Sequence, residues 1–71
     1  LWVLQNEPLD AVARRIEEEF GVRVTFARET DRTVEVSGTV SSRDLNDLTA
    51  VLTETLGLRF ERRGDEVHIL P

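Results

Sequence analysis

Apolar residues recur at helical spacing twice in this chain, and each run ends at a glycine. The second run repeats the first in phase after 36 positions: Leu9, Val12, Ile16 and Phe20 precede Gly21, and Leu45, Leu48, Leu52 and Leu56 precede Gly57. Intervals of three and four residues place such side chains on one face of a helix. Glycine readily adopts the left-handed conformation in which helices commonly end. The pattern therefore predicts two copies of a helix-glycine-strand unit.

Five further segments are predicted as strands: one is short and apolar, and four alternate between apolar and polar residues, which is typical of half-buried strands. They are residues 2–5, 22–26, 33–40, 58–62 and 66–70, with predicted helices over 8–20 and 45–56. The predicted fold is α+β, a tandem βαβ repeat of order β-α-β-β-α-β-β. Because the repeat makes the first and third strands equivalent, and likewise the second and fourth, we expect the helices to pack between two sheets. One sheet holds strands one and three, and the other holds strands two, four and five.

The inward positions of these elements predict the hydrophobic core. Its expected members are Leu4, Leu9, Val12, Ile16, Phe20, Val24, Phe26, Val36, Leu48, Leu52, Leu56, Phe60, Val67 and Ile69. Trp2 is also expected to point inward, together with Val36 and Val40. Gly38 lies on the apolar side of the third strand, so we expect a bulky side chain opposite it.

Helix starts are predicted from residues that satisfy free backbone N–H groups. Asn6 or Glu7 is expected to cap the first helix, with Pro8 in its first turn, where a missing N–H has no cost. Ser41 or Ser42 is expected to cap the second helix. Residues 27–32 form a charged connection without glycine or proline.

Length and composition limit the possible functions. At 71 residues the chain has room for one domain, which we place at 1–71 and expect to be a fragment of a longer protein. It has no cysteine, and its nine basic residues, all Arg, face fourteen acidic ones, for a net charge of −5. That sign is unfavourable for contact with a nucleic-acid backbone or an anionic membrane. A protein partner is expected instead.

The residues that could carry chemistry are few and scattered. His68 is the single histidine, and alternation puts it on the outward side of its strand with Glu66. Two candidate ligands do not make a metal site, which needs three or four converging groups. Arg63, Gly64 and Asp65 match the integrin-adhesion tripeptide, but a short hairpin turn explains them better. The sequence therefore predicts no catalytic residue, no metal and no cofactor.

Two alternatives stay open from the residues alone. The acidic run Glu17, Glu18 and Glu19 is either a solvated helix face or an acidic patch for a basic partner. A small hydrolase would need a nucleophile beside His68, and the chain has no nucleophile elbow and no glycine-rich phosphate loop. An enzyme is accordingly the weaker hypothesis.

Several stretches resemble a known family over nearly the whole chain. They are residues 4–9 (LQNEPL) before the first helix, 21–26 (GVRVTF), 34–40 (VEVSGTV), then Asp47, Leu48, Val51, Leu52, Leu56, Gly57 and Leu58, and the closing hairpin to Ile69. This pattern resembles the C-terminal periplasmic domain of FecR-type anti-sigma regulators. The related secretin and TonB N-terminal short domain usually has an Ala-Leu pair early in its second helix and a Gly-Thr-Gly-Leu ending. In this chain those places hold Asp47-Leu48 and residues 54–58 (ETLGL), which favours the regulator.

The resemblance implies a role in cell-surface signalling. The expected function is that of a periplasmic protein-protein interaction domain in a FecR-type regulator of the inner membrane of a Gram-negative bacterium, in a pathway such as iron transport regulation. Its expected partner is the signalling domain of a TonB-dependent outer-membrane receptor, while another part of the full-length protein contacts the sigma factor. No nucleic acid or small-molecule substrate is expected. The alternative is the N-terminal signalling or short domain of a TonB-dependent receptor or secretin.

A partner-binding surface is predicted on the outward side of the two-stranded sheet. Its residues are Leu1, Val3, Gln5, Glu35, Ser37 and Thr39. A sheet of two strands has two open edges, and the first strand contains no charge or proline over 2–5 that would protect its edge against strand addition. The alternative is that the rest of a longer chain covers Leu1 and Val3.

Overall fold

A computed structural model describes all residues, 1–71, and confirms the predicted order of elements. The chain forms β1 (Trp2–Pro8), α1 (Leu9–Phe20), β2 (Arg23–Phe26), a short 3-10 helix (Glu29–Thr33), β3 (Glu35–Val40), α2 (Leu45–Leu56), β4 (Arg59–Arg63) and β5 (Glu66–Leu70). The strands make two sheets. β1 pairs antiparallel with β3, while β5 lies between β2, which is parallel to it, and β4, which is antiparallel.

The two helices occupy equivalent places, as the sequence repeat predicts. α1 contacts β1 and β2, and α2 contacts β3 and β4, so that each helix touches one strand of each sheet. Both helices end at a glycine in the left-handed conformation, with φ of 66° at Gly21 and 70° at Gly57. The N–H of Gly21 donates to the carbonyl of Glu17 (2.9 Å), and that of Gly57 to the carbonyl of Thr53 (3.0 Å). The α+β architecture predicted from the sequence is confirmed.

The core contains the predicted helical stripes and the inward strand residues. Of the predicted members, Leu4, Leu9, Val12, Ile16, Val36, Leu48, Leu52, Val67 and Ile69 are fully buried, and Phe20, Val24, Phe26, Leu56 and Phe60 are partly buried against them. The prediction omitted Val22, Leu45 and Leu58, which are also buried. Leu45 lies on the predicted stripe of the second helix, and Val22 and Leu58 are the equivalent residues that follow Gly21 and Gly57.

The predicted cap of the first helix is wrong. β1 continues through Asn6 and Glu7, and the residue that precedes α1 is Pro8, which has an extended conformation and makes no side-chain capping bond. Neither Asn6 nor Glu7 caps the helix: Glu7 pairs with Val36 in the sheet, and the N–H of Asn6 donates to Ser37 Oγ. The backbone N–H of Leu9 donates to the carbonyl of Val34 (2.8 Å), so that the ladder of β1 and β3 continues into the start of the helix.

The predicted caps of the second helix are wrong as well. α2 begins at Leu45, so its capping position falls on Asp44 and not on Ser41 or Ser42. The carboxylate of Asp44 accepts a hydrogen bond from the N–H of Asp47 at 2.8 Å. Aspartate is among the best residues for this role, and the sequence prediction placed the cap two or three residues too early.

Gly38 is required for a different reason from the one predicted. It pairs with Leu4 across the sheet, yet it is exposed, and a Cβ at this position would have open space around it. Its φ is +121°, a conformation that residues with side chains rarely adopt. The backbone conformation, and not a bulky neighbour, accounts for this glycine.

The connection between β2 and β3 contains a buried carboxylate that the sequence did not predict. Asp31 is 5% exposed, and the guanidinium of Arg28 donates to both of its oxygens, at 3.2 and 3.0 Å. The carbonyl of Asp31 also accepts from the N–H of Val34 (3.2 Å), just before β3. A buried charge is tolerated when it is paired and hydrogen-bonded, as this one is. The pair fixes the path of the chain into β3.

Candidate partner-binding edge

The structure brings most of the predicted binding residues onto one face of the two-stranded sheet. All six of them, Leu1, Val3, Gln5, Glu35, Ser37 and Thr39, are exposed. Val3 pairs directly with Thr39, and Leu1 precedes β1. Leu1 is 85% and Val3 62% exposed, and they are the large hydrophobic side chains that the fold leaves in solvent. The face therefore has an apolar end at Leu1 and Val3 and a polar remainder.

A β-bulge in the middle of this face is not predicted by the sequence pattern. Leu4 pairs with Gly38 and Glu7 with Val36, so that Gln5 and Asn6 together face the single residue Ser37. Two residues opposite one is the defining feature of a bulge, which bends a strand and increases its twist. Asn6 takes a positive φ of 51°, which asparagine tolerates better than most residues.

Hydrogen bonds across the bulge occupy the Ser37 hydroxyl. The backbone N–H of Asn6 donates to Ser37 Oγ at 2.9 Å, and Ser37 Oγ donates to Asn6 Oδ1 at 2.9 Å. Ser37 thus stabilises the bulge, and its hydroxyl is already engaged within the sheet. Asn6, Glu7 and Pro8 fit the start of a helix in the sequence, which is why the bulge was not predicted.

The edge of β1 is protected at one end and open at the other. In antiparallel pairs, hydrogen-bonded and non-hydrogen-bonded positions alternate. Since Leu9 bonds to Val34, the neighbouring pair of Pro8 and Glu35 is non-hydrogen-bonded, and its backbone groups point away from the partner strand. Pro8 has no N–H to offer an added strand at that position. The open part of the β1 edge is therefore residues 2–5.

Each edge of the three-stranded sheet has a feature that the β1 edge lacks. At the β2 edge, the N–H of Val24 donates to Glu17 Oε2 at 2.9 Å. The β4 edge consists mainly of charged residues: Arg59, Glu61, Arg62 and Arg63. Charged side chains and covered backbone groups are the usual protections against strand addition. Neither protection is found along residues 2–5 of β1 or 36–40 of β3.

The open part of β1 is held firmly from the inner side. Trp2 and Leu4 are 4% and 2% exposed, and the ring of Trp2 lies 6.4 Å from that of Phe20. The Arg15 guanidinium lies over the Trp2 ring at 4.4 Å from its centroid, a cation-π contact. The outward residues of this segment are thus presented by a strand whose inward residues are packed in the core.

The outer face of the three-stranded sheet contains the single histidine. Thr25 Oγ1 lies 2.7 Å from His68 Nδ1, and Glu66 Oε1 lies 3.3 Å from His68 Nε2. Both ring nitrogens are therefore engaged by neighbours on the same sheet face. No group of three or more His, Cys, Asp or Glu side chains converges to hold a metal ion. The outward position of His68 is confirmed, because Val67 and Ile69 beside it are fully buried.

The tripeptide of Arg63, Gly64 and Asp65 lies at the predicted hairpin. Arg63 ends β4, Gly64 and Asp65 form the turn, and β5 begins at Glu66. Gly64 has a φ of 60°, which a tight turn requires. The turn explains the tripeptide.

Comparison with protein families gives a match over almost the whole chain. The family model described as FecR, C-terminal, matches residues 1–69. The chain belongs to the FecR C-terminal domain family. This family is regulatory and is not known for enzymatic activity, and it suggests protein partners. A comparison with curated proteins found no match.

A solved structure has the same fold as this FecR C-terminal domain. The crystal structure of a proposed anti-sigma factor from Parabacteroides distasonis is similar with a TM-score of 0.81 and 10% sequence identity. The match covers 96% of this chain and 32% of that one, so this chain spans about a third of the solved protein. Neither α1 nor α2 is long and apolar enough to cross a membrane.

Proposed function

We propose that this FecR C-terminal domain is the periplasmic protein-protein interaction domain of a transmembrane sigma-factor regulator. In this proposal it receives a signal from the signalling domain of a TonB-dependent outer-membrane receptor, and another part of the full-length protein contacts the sigma factor. The family match over residues 1–69 supports the regulator in preference to a receptor or secretin domain. The net charge of −5 and the lack of a convergent metal or catalytic cluster are consistent with a protein partner.

The proposed binding mode is the addition of a strand from the receptor domain to the two-stranded sheet. The observation that carries it is the contrast between the edges: residues 2–5 carry no charge and no side-chain block, whereas β2 and β4 are protected. In strand addition, backbone hydrogen bonds supply affinity and alternate side chains supply specificity. Leu1, Val3 and Gln5 would supply the specificity along β1, and Glu35, Ser37 and Thr39 along β3.

Val3 is the residue whose burial would contribute most on this face. Complete burial of a valine side chain stabilises an interface by about 1.5 to 3 kcal/mol, and 62% of Val3 is available for burial. A contribution near 1.4 kcal/mol corresponds to about a tenfold change in affinity. Leu1 is more exposed but precedes the strand, so that its position is less constrained.

The experiment is an NMR titration of the labelled chain with the signalling domain of its cognate receptor. Residues 2–5 and 33–39 should show the largest perturbations. Val3→Asp should weaken binding by about tenfold or more and leave the urea midpoint nearly unchanged, because Val3 lies outside the core. Ala50→Asp is the matched control, since Ala50 is an exposed apolar residue on α2, away from this face. It should bind like the wild type.

Two results would contradict strand addition at this edge. If the perturbed residues instead cluster on 17–19 or on β5, or if Ala50→Asp weakens binding as much as Val3→Asp, strand addition at this edge is wrong. Flanking sequence tests the wider assignment: a membrane span before the domain indicates the regulator, and a β-barrel after it indicates a receptor.

A further inference from the structure

We propose that Glu17 blocks the free edge of β2 and prevents that strand from accepting another strand. Glu17 lies in the last turn of α1, and its Oε2 accepts a hydrogen bond from the backbone N–H of Val24 at 2.9 Å. The contact connects a helix side chain to the backbone of an edge strand in the neighbouring sheet. It lies on the three-stranded sheet, whereas the surface proposed for the receptor domain lies on the two-stranded sheet.

The direction of the Val24 N–H determines what the contact does. β2 pairs only with β5, and the N–H groups of Arg23 and Ala27 both donate towards β5, to the carbonyls of Asp65 (2.8 Å) and Ile69 (2.9 Å). Backbone groups of successive strand residues point to opposite sides, so the N–H of Val24 points to the free edge. Glu17 Oε2 therefore occupies the position that the carbonyl oxygen of an added strand would take.

Without Glu17, β2 would be a favourable strand acceptor. Three of its four residues, Val24, Thr25 and Phe26, are β-branched or aromatic and carry no charge, and the first is Arg23. Such residues favour strands, and an uncharged edge of this kind is prone to pair with other chains. At Val24 the edge depends on a side chain from outside the sheet for its protection.

The internal repeat provides a comparison within the same molecule. Thr53 is the residue 36 positions after Glu17. The carbonyl of each residue accepts the N–H of the glycine that ends its helix, Gly21 for Glu17 and Gly57 for Thr53. The hydroxyl of threonine is attached at Cβ, so it cannot extend as far as a glutamate carboxylate. The equivalent strand β4 is instead rich in charged residues, including Arg59 and Glu61. The two units thus protect equivalent edges by different means.

This role separates Glu17 from the rest of the acidic run. Glu17 is partly buried, whereas Glu18 and Glu19 are exposed and have no hydrogen-bond or ion-pair partner in the structure. A consequence, which rests on the proposed function, is that strand addition is restricted to the two-stranded sheet. The block itself can be tested on this chain alone, without a receptor.

The test compares Glu17→Ala, Glu17→Asp and Glu17→Gln with Glu18→Ala as the matched control. Amide exchange at Val24, followed by NMR, should become about tenfold faster or more in Glu17→Ala, because the N–H loses a charged acceptor. Glu17→Asp should behave in the same way, since it keeps the charge but is one methylene shorter. Glu17→Gln retains an oxygen at the right distance and should stay close to the wild type.

Sedimentation velocity over a concentration series measures the consequence for the edge. Glu17→Ala and Glu17→Asp should self-associate at concentrations at which the wild type and Glu18→Ala remain monomeric. Circular dichroism establishes whether each variant is folded. If Glu17→Ala is unfolded, the comparison uses Glu17→Asp instead. The proposal is overturned if the folded variants exchange at Val24 as slowly as the wild type, or if they remain as monomeric as Glu18→Ala.

Discussion

Replacement of Leu52 by alanine should destabilise this domain more than almost any other single truncation. Leu52 is fully buried on α2, in the cluster of 14 core residues, and α2 contacts strands of both sheets. Loss of three buried carbon groups costs about 2.4 kcal/mol in transfer free energy. The cavity that remains adds to this cost, so the expected total is about 2 to 5 kcal/mol. The total lies in the upper part of this range if the two sheets prevent the cavity from collapsing.

That cost is large compared with the stability of so short a chain. At about 0.05 to 0.15 kcal/mol per residue, 71 residues give a free energy of unfolding of about 4 to 11 kcal/mol. Leu52→Ala would therefore remove at least about a fifth of it, and lower the melting temperature by roughly 8 °C or more. Urea unfolding can be followed by circular dichroism and by the fluorescence of Trp2, the single tryptophan, which is buried in the native state.

Leu56→Ala is the matched control for this prediction. It makes the same chemical change one helical turn later, at a position that is only partly buried, so its cost should be clearly smaller. The slope of the free energy with urea should stay the same for all three proteins if both substitutions act on the native core. Equal costs for Leu52→Ala and Leu56→Ala, or a cost below about 1 kcal/mol at Leu52, would refute the central position of Leu52 in the core.

Three further predictions concern local features and metal binding. Asp44→Ala should cost about 1 kcal/mol in urea unfolding because α2 loses its cap, whereas Ser42→Ala should be nearly neutral; equal effects would contradict the observed cap. Gly38→Ala should cost about 1 to 3 kcal/mol despite the open space around it, since φ is +121°, and a neutral result in the same assay would show that the strain is absent. Thermal melting with zinc or with a chelator should superimpose on melting without either, and a shift of several degrees would reveal a metal site.

The helices, the strands and the membership of the two sheets could be predicted from the sequence, because the information lies in local periodicity and in one internal repeat. Stripes at intervals of three and four residues identify each helix face, and Gly21 and Gly57 mark where the helices end. The 36-residue offset then makes β1 equivalent to β3 and β2 equivalent to β4, and this symmetry, together with the hairpin that joins β4 to β5, was enough to predict which strands share each sheet. The outward position of His68 followed from alternation in the same way.

Which polar groups meet across the chain could not be predicted from the sequence. Asn6 and Ser37 are 31 residues apart, so nothing local in the sequence indicates that one would satisfy the other at a bulge. Likewise, Glu17 looks like its exposed neighbours until β2 is placed beside the end of α1. Hydrophobic periodicity reports which face of an element is buried, whereas a single polar contact depends on distance and direction between elements. Those quantities exist only once the two sheets and helices have packed.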